Sequence, residues 1–314
     1  MGDLRVKNDV ILFRTETTYG VDPVPVPATH AILVRNVDMR PEGLRMTNRE
    51  AVRGSLGELQ KIYGGQLKRI TFECEVKGSG TAGTAPELGP LLRSCGMDET
   101  VVASTSVTYQ PVSTAHESGT IYFYEGGRKR HILRGCRGTN GFRLTAGGIM
   151  LATFDLVGHY DEPTDQTQPV PTYNAQVPRA ALGMAVALNG VSVVLREWQF
   201  GLNSVIALPP SVAAADGYGE IILTGRDVMG DVLIETELDS VIDLDLLFAA
   251  GTRFAFDSGL LGSVAGNRVR LTTPAASTYI TDQQLDQGDG KRLRRVPLAV
   301  DDSTPDQEIS LVLT

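Results

Sequence analysis

The chain has 314 residues, of which 42% are hydrophobic and 21% charged, with a formal net charge of -8 and a pI of about 5.1. That length predicts about two domains, and the composition predicts globular units able to bury real cores. The acidic balance argues against stable wrapping of DNA or of an anionic membrane, though not against nucleic acid passing nearby. No run approaches the roughly 20 apolar residues of a spanning helix.

In chain order, "MGDLRVKNDVILFRTETTYG" has no apolar stretch of the secretory kind, nor the Ser or Thr that myristoylation needs. Thr15–Pro27, "TETTYGVDPVPVP", reads as a proline-punctuated extended arm. Either it is a loose terminus, or Thr17, Thr18, Tyr19, Asp22 and Pro23 order against a neighbouring subunit. Ile70, Phe72, Cys74 and Val76 alternate with Thr71, Glu73 and Glu75, the period-two pattern of a strand with one apolar and one polar face. A glycine-rich loop follows: Lys77, Gly78, Ser79, Gly80, Thr81, Ala82, Gly83 and Thr84. A short helix is expected near Glu87–Cys95 with Gly96 as its stop. Gly119–Gly135 reads as a hairpin turning at Gly126-Gly127, and Gly141–Gly158 as another near Gly147-Gly148.

"DEPTDQTQPVPTYNAQVP" is poor in large aliphatics and rich in Pro, Gln and Thr, which predicts a linker over residues 161–178 between domains at 1–160 and 179–314. An internal echo crosses it. "ITFECEV" (Ile70–Val76) resembles "VLIETEL" (Val232–Leu238), and "LLRSCG" (Leu91–Gly96) resembles "LLFAAG" (Leu246–Gly251). Glu73/Glu75 thus return as Glu235/Glu237, while the glycine loop has no second copy. A second helix is expected near Leu244–Ala250, and a closing strand pair at Lys291–Val300 and Glu308–Leu313. Two tandem copies of one mainly β domain are the resulting expectation.

The chemical signals are few. Gly78, Gly80 and Gly83 have the G-x-G-x-x-G spacing of a dinucleotide loop. The preceding strand is two-faced instead of a buried apolar run, Thr84-Ala85-Pro86 delays any helix, Gly89 and Pro90 weaken the one that follows, and βαβ alternation is missing. His30, His116, His131 and His159 show no metal-ligand spacing. Cys74, Cys95 and Cys136 read as free thiols. No catalytic residue, cofactor or metal site is assigned, and the chain is read as a non-enzyme. The glutamate pairs leave one alternative, a glycan-binding or glycan-cleaving β-sandwich. The bland account is a solvated strand face. Arg128, Arg130, Arg134 and Arg137 form a basic stretch that reads as a nucleic-acid patch or as a contact edge meeting an acidic neighbour.

Over Glu16–Tyr160 the chain resembles the major tail tube proteins of long-tailed (siphovirus-type) bacteriophages. The likeness is carried by "GSGTAGTAPELGPLLRSCG", by Tyr109-Gln110-Pro111-Val112-Ser113, and by "LRGCRGTN" with Ala146-Gly147-Gly148 after it. The resemblance implies β-sandwich or β-barrel tube domains, each with a short flanking helix. It implies stacked rings, trimeric or hexameric, forming a hollow channel through which genomic DNA leaves the virion without specific binding. It also implies tail terminator, tape measure and distal tail proteins as partners, no membrane, and a place in the virion tail after synthesis in the host cytoplasm. On that reading Glu73, Glu75, Glu235 and Glu237 face the lumen and repel phosphate. The loop Lys77–Thr84, the arm and the basic edge make subunit contacts.

Overall fold

A computed structural model describes residues 6–52, 54, 57–301 and 303–314. Its longer elements are β1 (Val10–Thr15), β2 (Val34–Glu42), β3 (Leu67–Glu75), α1 (Gly89–Ser94), β4 (Met97–Val102), β5 (Ser106–Pro111), β6 (Gly119–Glu125), β7 (Lys129–Thr145) and β8 (Leu151–Tyr160). They continue with β9 (Leu195–Gly201), β10 (Met229–Glu235), α2 (Leu244–Ala249), β11 (Val269–Thr272), β12 (Gln284–Gly288), β13 (Lys291–Val300) and β14 (Ser310–Leu313). The fold is mainly β with two short helices. Both helices form where the sequence places them. Asp243 caps the start of α2 by accepting from Leu246 N–H at 2.7 Å. Gly96 and Gly251, with φ of +82° and +59°, follow the two C-termini, where a left-handed residue ends a helix.

Two antiparallel sheets share one apolar core that runs from Ile11 to Leu313. Neither closes into a barrel among the described residues. The smaller sheet joins β4 and β5 to β14 and β11. The expected pairing of the last two strands does not occur. β13 lies in the large sheet beside β10, while β14 turns Leu311 and Leu313 into the core and pairs with β11 and β5. Only these neighbours bury its apolar alternation.

β7 organises the large sheet. The β6–β7 turn places Gly126 and Gly127 at φ of 56° and 75°, as the two central residues of a type I′ turn require, with Arg128 a third residue before the ladder begins at Glu125/Lys129. β7 then runs for 17 residues as one strand, interrupted by a bulge at Arg134–Cys136 where Gly135 has φ of 60°. One edge pairs with β8, and the other pairs first with β6 and then, over Gly141–Thr145, with β9. An unbroken path therefore runs β2–β3–β8–β7–β9–β10–β13–β12, with β2 and β12 as its open ends.

Residues 161–178 lie along the rest of the protein. Thr164 and Asp165 pair with Arg130 and Lys129, and Tyr173 packs on the cluster around Tyr122 and Tyr124. Asn174 reaches the glycine loop, donating from Nδ2 to Gly78 O at 3.0 Å.

Candidate assembly and lumen surfaces

The alternation of β3 puts Ile70, Phe72, Cys74 and Val76 into the core, each at most 3% exposed, and leaves Glu73 and Glu75 on the opposite face. That face is organised by charge. Glu73 accepts from Arg35 Nε at 2.8 Å and Arg143 Nη2 at 2.7 Å. Arg69 donates to Glu42 at 2.7 Å and to Asp155 at 2.8 and 2.9 Å. The second half repeats the arrangement. Glu235 accepts from Arg196 at 2.8 Å and from Lys291, and Arg295 donates to Asp231 at 2.9 Å and to Glu197. Each half thus holds one carboxylate between two cations and one cation between two carboxylates, so the charges of the two trios cancel within each half.

Burial pushes the Glu73 carboxyl upward, but the hydrogen bonds from Arg143 and Arg35 outweigh it and hold the group below the usual carboxylate range. The hydrogen bond from Lys291 does the same for Glu235. Glu75 and Glu237 are half-buried, and their carboxylates have no hydrogen bond or ion pair among the described residues. Of the four glutamates expected to supply bare negative charge, two are therefore neutralised by their own chain. The arginines that do this come from other strands, at separations of 38 and 70 residues from Glu73, which a local reading of the β3 pattern cannot see.

The strand order repeats as well. In the first half the spatial order is β2–β3–β8–β7, and in the second β9–β10–β13–β12, so each runs first, second, fourth, third in chain order. A bulge interrupts the first pair in both, between Arg35 and Asp38 and between Leu195 and Glu197. The row Arg35–Glu73–Thr153–Gly141 answers to Val194–Glu235–Leu293–Asp286. The units meet where β7 pairs with β9, with Gly141 opposite Gly201 and Arg143 opposite Gln199.

The expected contact loop is packed against its own chain. Lys77 is 2% exposed, pairs with Glu87 at 3.2 Å and donates to Asn174 O at 3.0 Å. Gly78 N–H donates to Asn267 Oδ1 and Gly80 N–H to Gly266 O, both at 2.9 Å. A Cβ on Gly78 would stand 2.0 Å from Gly266 O. The glycine is required by this backbone contact between the two halves. Ser79, Ala82 and Gly83 are half-buried, and Gly80, Thr81 and Thr84 are exposed.

The arm is also held within the chain. Glu16 accepts from Gly20 N–H, Ser118 Oγ, Thr120 Oγ1 and Gly135 N–H at 2.6 to 2.8 Å. Tyr19 Oη accepts from Ile221 N–H at 2.7 Å and meets His159 Nε2 at 3.1 Å, and Asp22 accepts from Tyr122 Oη. Arg14 donates to Pro23 O at 2.6 Å, while Thr17 and Thr18 are exposed.

The basic stretch does not form one edge. Arg137 is 8% exposed, pairs with Glu220 at 2.7 Å and donates to the carbonyls of Ile221, His116 and Glu117, so burial removes it from any contact edge. Arg134 pairs with Asp161 at 2.5 Å, and Arg130 lies over the Tyr122 ring. Arg128 is exposed at the hairpin turn.

One surface was not foreseen from the sequence. Met46–Thr47 and Ile62–Tyr63 pair as a two-stranded ribbon separate from both large sheets. Leu44, Met46, Ile62 and Tyr63 on it are each about half exposed. Its base is fixed by Tyr218 Oη on Gly43 O, by Arg45 on Gly217 O at 3.0 Å, and by Arg45 over the Tyr218 ring.

The fold and these surfaces define a β-sheet building block whose eight-strand path has two open ends, with a ribbon standing apart from both large sheets. The sequence matches the family model described as phage tail tube protein over residues 7–307, and the chain belongs to that family. It is a family of structural tail proteins, not of enzymes; membership implies self-assembly into a tail tube, association with other tail proteins, and a place in the virion tail. No curated protein matches the chain.

Proposed function

We propose that this chain builds the tail tube as two ring positions in one polypeptide, so that three copies close a ring and stacked rings form the channel for genome ejection. The single observation that carries this reading is the repeated four-strand unit. The eight-strand path consists of two units with the same order, the same bulge and the same pair of charge trios. On this account the two halves are tandem versions of one tube domain, and residues 161–178 are the strap between them.

The strand register supports a ring of three. Val194 answers to Arg35, yet the ladder continues from Gly141 to Gly201, seven residues further along, one of them absorbed by the bulge. With strands about 4.8 Å apart and a rise of about 3.3 Å, a slip of about six residues per four strands sets a tilt of about 45°. Two copies then make a barrel about 35 Å across and three about 53 Å. Side chains reach about 5 Å inward from each wall, leaving bores of about 25 and 43 Å. The smaller is barely wider than duplex DNA; the larger lets it move freely.

The charged face would line this bore. Its ion-pair trios balance, so DNA meets neither a cationic surface to grip it nor a strongly anionic one to hold it off. Glu75 and Glu237 would contribute the excess negative charge. The ribbon of Met46–Thr47 and Ile62–Tyr63 would bridge stacked rings through its half-exposed Met46, Ile62 and Tyr63, because a two-stranded ribbon is marginal in water without a partner. The exposed tip at Gly80, Thr81 and Thr84, with Thr17, Thr18 and Arg128, would be secondary contacts.

Electron microscopy of tubes assembled from the purified protein tests the reading. Three chains per ring with pseudo-sixfold density are expected. Six chains per ring, or a charged face on the tube exterior, would overturn it.

A further inference from the structure

The two units differ in what joins their first two strands. In the first unit β2 leads into β3 through residues 43–66, and in the second β9 leads into β10 through residues 202–228. Each neighbouring pair along the path from β2 to β9 is antiparallel, so β2 and β9 run the same way and both connections leave from one end of the sheet. The first connection carries the half-exposed ribbon. The second folds back on the protein. Val205–Ala207 pairs with Ile222–Gly225, and Tyr218 and Ile221 sink into a cluster with Leu67 and Val157.

Resting on the ring reading above, we infer that residues 209–221 of the second unit are a brace that sets the stance of the first unit's ribbon, so that each chain offers one braced ribbon to the next ring. Three side-chain contacts hold the ribbon's base. Tyr218 Oη donates to Gly43 O, Arg45 Nη1 donates to Gly217 O at 3.0 Å, and the Arg45 guanidinium lies 3.9 Å from the centre of the Tyr218 ring. The backbones meet as well. A Cβ on Gly65, whose φ is +107°, would stand 2.0 Å from Asp216 O. Only glycine allows that conformation and that approach together. These contacts adjoin the first rungs of the ribbon, Arg45 N–H to Gly65 O at 3.0 Å and Gly64 N–H to Arg45 O at 2.9 Å.

The brace is itself anchored on the first unit, away from the ribbon. Asp216 Oδ2 meets His159 Nδ1 at 2.6 Å, Ile221 N–H donates to Tyr19 Oη at 2.7 Å, and Arg137 Nη1 donates to Ile221 O at 2.6 Å. Tyr218 and Ile221 are buried, whereas Met46, Ile62 and Tyr63 on the ribbon stay half exposed. The direction of the ribbon is therefore decided at its base. A rigid brace there limits the directions sampled before a second ring arrives, which lowers the ordering cost of stacking.

The test compares Tyr218→Phe and Gly65→Ala with wild type, by hydrogen exchange on the unassembled chain and by electron microscopy of assembled protein. Tyr218→Phe keeps the buried ring and removes the bond to Gly43 O. The Arg45 and Gly64 amides are expected to exchange about fivefold faster, the effect of one lost hydrogen bond on local opening. Amides of β13 should keep their wild-type rates. Gly65→Ala should speed the same two amides further and give rings that stack into fewer and shorter tubes. Unchanged exchange of both amides in Tyr218→Phe overturns the brace, and that variant decides alone if Gly65→Ala fails to fold. Faster exchange with tubes of wild-type length and number overturns its part in stacking. The exchange result is read on free chains whatever the ring size. Six wild-type chains per ring would overturn the ring reading itself, a separate outcome.

Discussion

Gly78→Ala separates the two roles open to the glycine loop. An added Cβ would lie 2.0 Å from Gly266 O, 2.8 Å from its carbonyl carbon and 2.9 Å from Asn267 Cα, all backbone atoms. Relief to normal contact needs the two segments to part by more than an ångström. That breaks Gly78 N–H to Asn267 Oδ1 and Gly80 N–H to Gly266 O. Two lost hydrogen bonds cost about 1 kcal/mol each, and residual overpacking costs about 1–3 kcal/mol more, for a total of about 3–5 kcal/mol. At about 2 °C per kcal/mol for a chain of this size, the unassembled protein should lose about 6–10 °C in Tm by scanning calorimetry. Thr84→Ala, at an exposed position of the loop, should change Tm by less than about 1 °C. If Gly78→Ala keeps the wild-type Tm yet fails to form tubes, the loop acts between subunits and the account of its glycines is wrong.

Further outcomes follow from the buried arginine and the clamped glutamate. Arg137→Ala strands the carbonyls of Ile221, His116 and Glu117 and should lower stability by about 3 kcal/mol in urea unfolding. Arg137→Lys should recover little of it, because an ammonium cannot span the same acceptors; wild-type stability with lost assembly would return Arg137 to a contact role. Glu73 has a depressed folded pKa, so its stabilisation is complete above the unfolded value of about 4.3 and is lost as pH falls through the folded one. Glu73→Gln should cost about 1 kcal/mol at pH 7, discounted for the exposure of Arg35 and Arg143. It should also flatten the acid side of the stability-pH curve, and parallel curves for variant and wild type would show that the clamp contributes nothing.

Much of the local structure was legible in the residues. Period-two alternation fixed the buried face of β3, Gly126-Gly127 fixed the hairpin turn, and Gly96 and Gly251 fixed both helix ends. These depend on contacts within a few residues, where side-chain periodicity and backbone preference act directly. The glutamate echo was visible in the sequence too, although its cationic partners were not. The tertiary structure decided which strand edges meet, because a ladder can join any two edges whose apolar faces agree, and nothing local in β7 names β9. Arg35 and Arg143 reached Glu73, and Gly266 reached Gly78, only once β2, β7 and the 262–268 loop were in place. The sequence alone therefore determined a β-rich chain with a repeated acidic strand. The three-dimensional pairing decided that Gly78 and Gly80 join the two halves, that Glu73 and Glu235 are neutralised while Glu75 and Glu237 are not, and that β2 and β12 are the open ends of the eight-strand path.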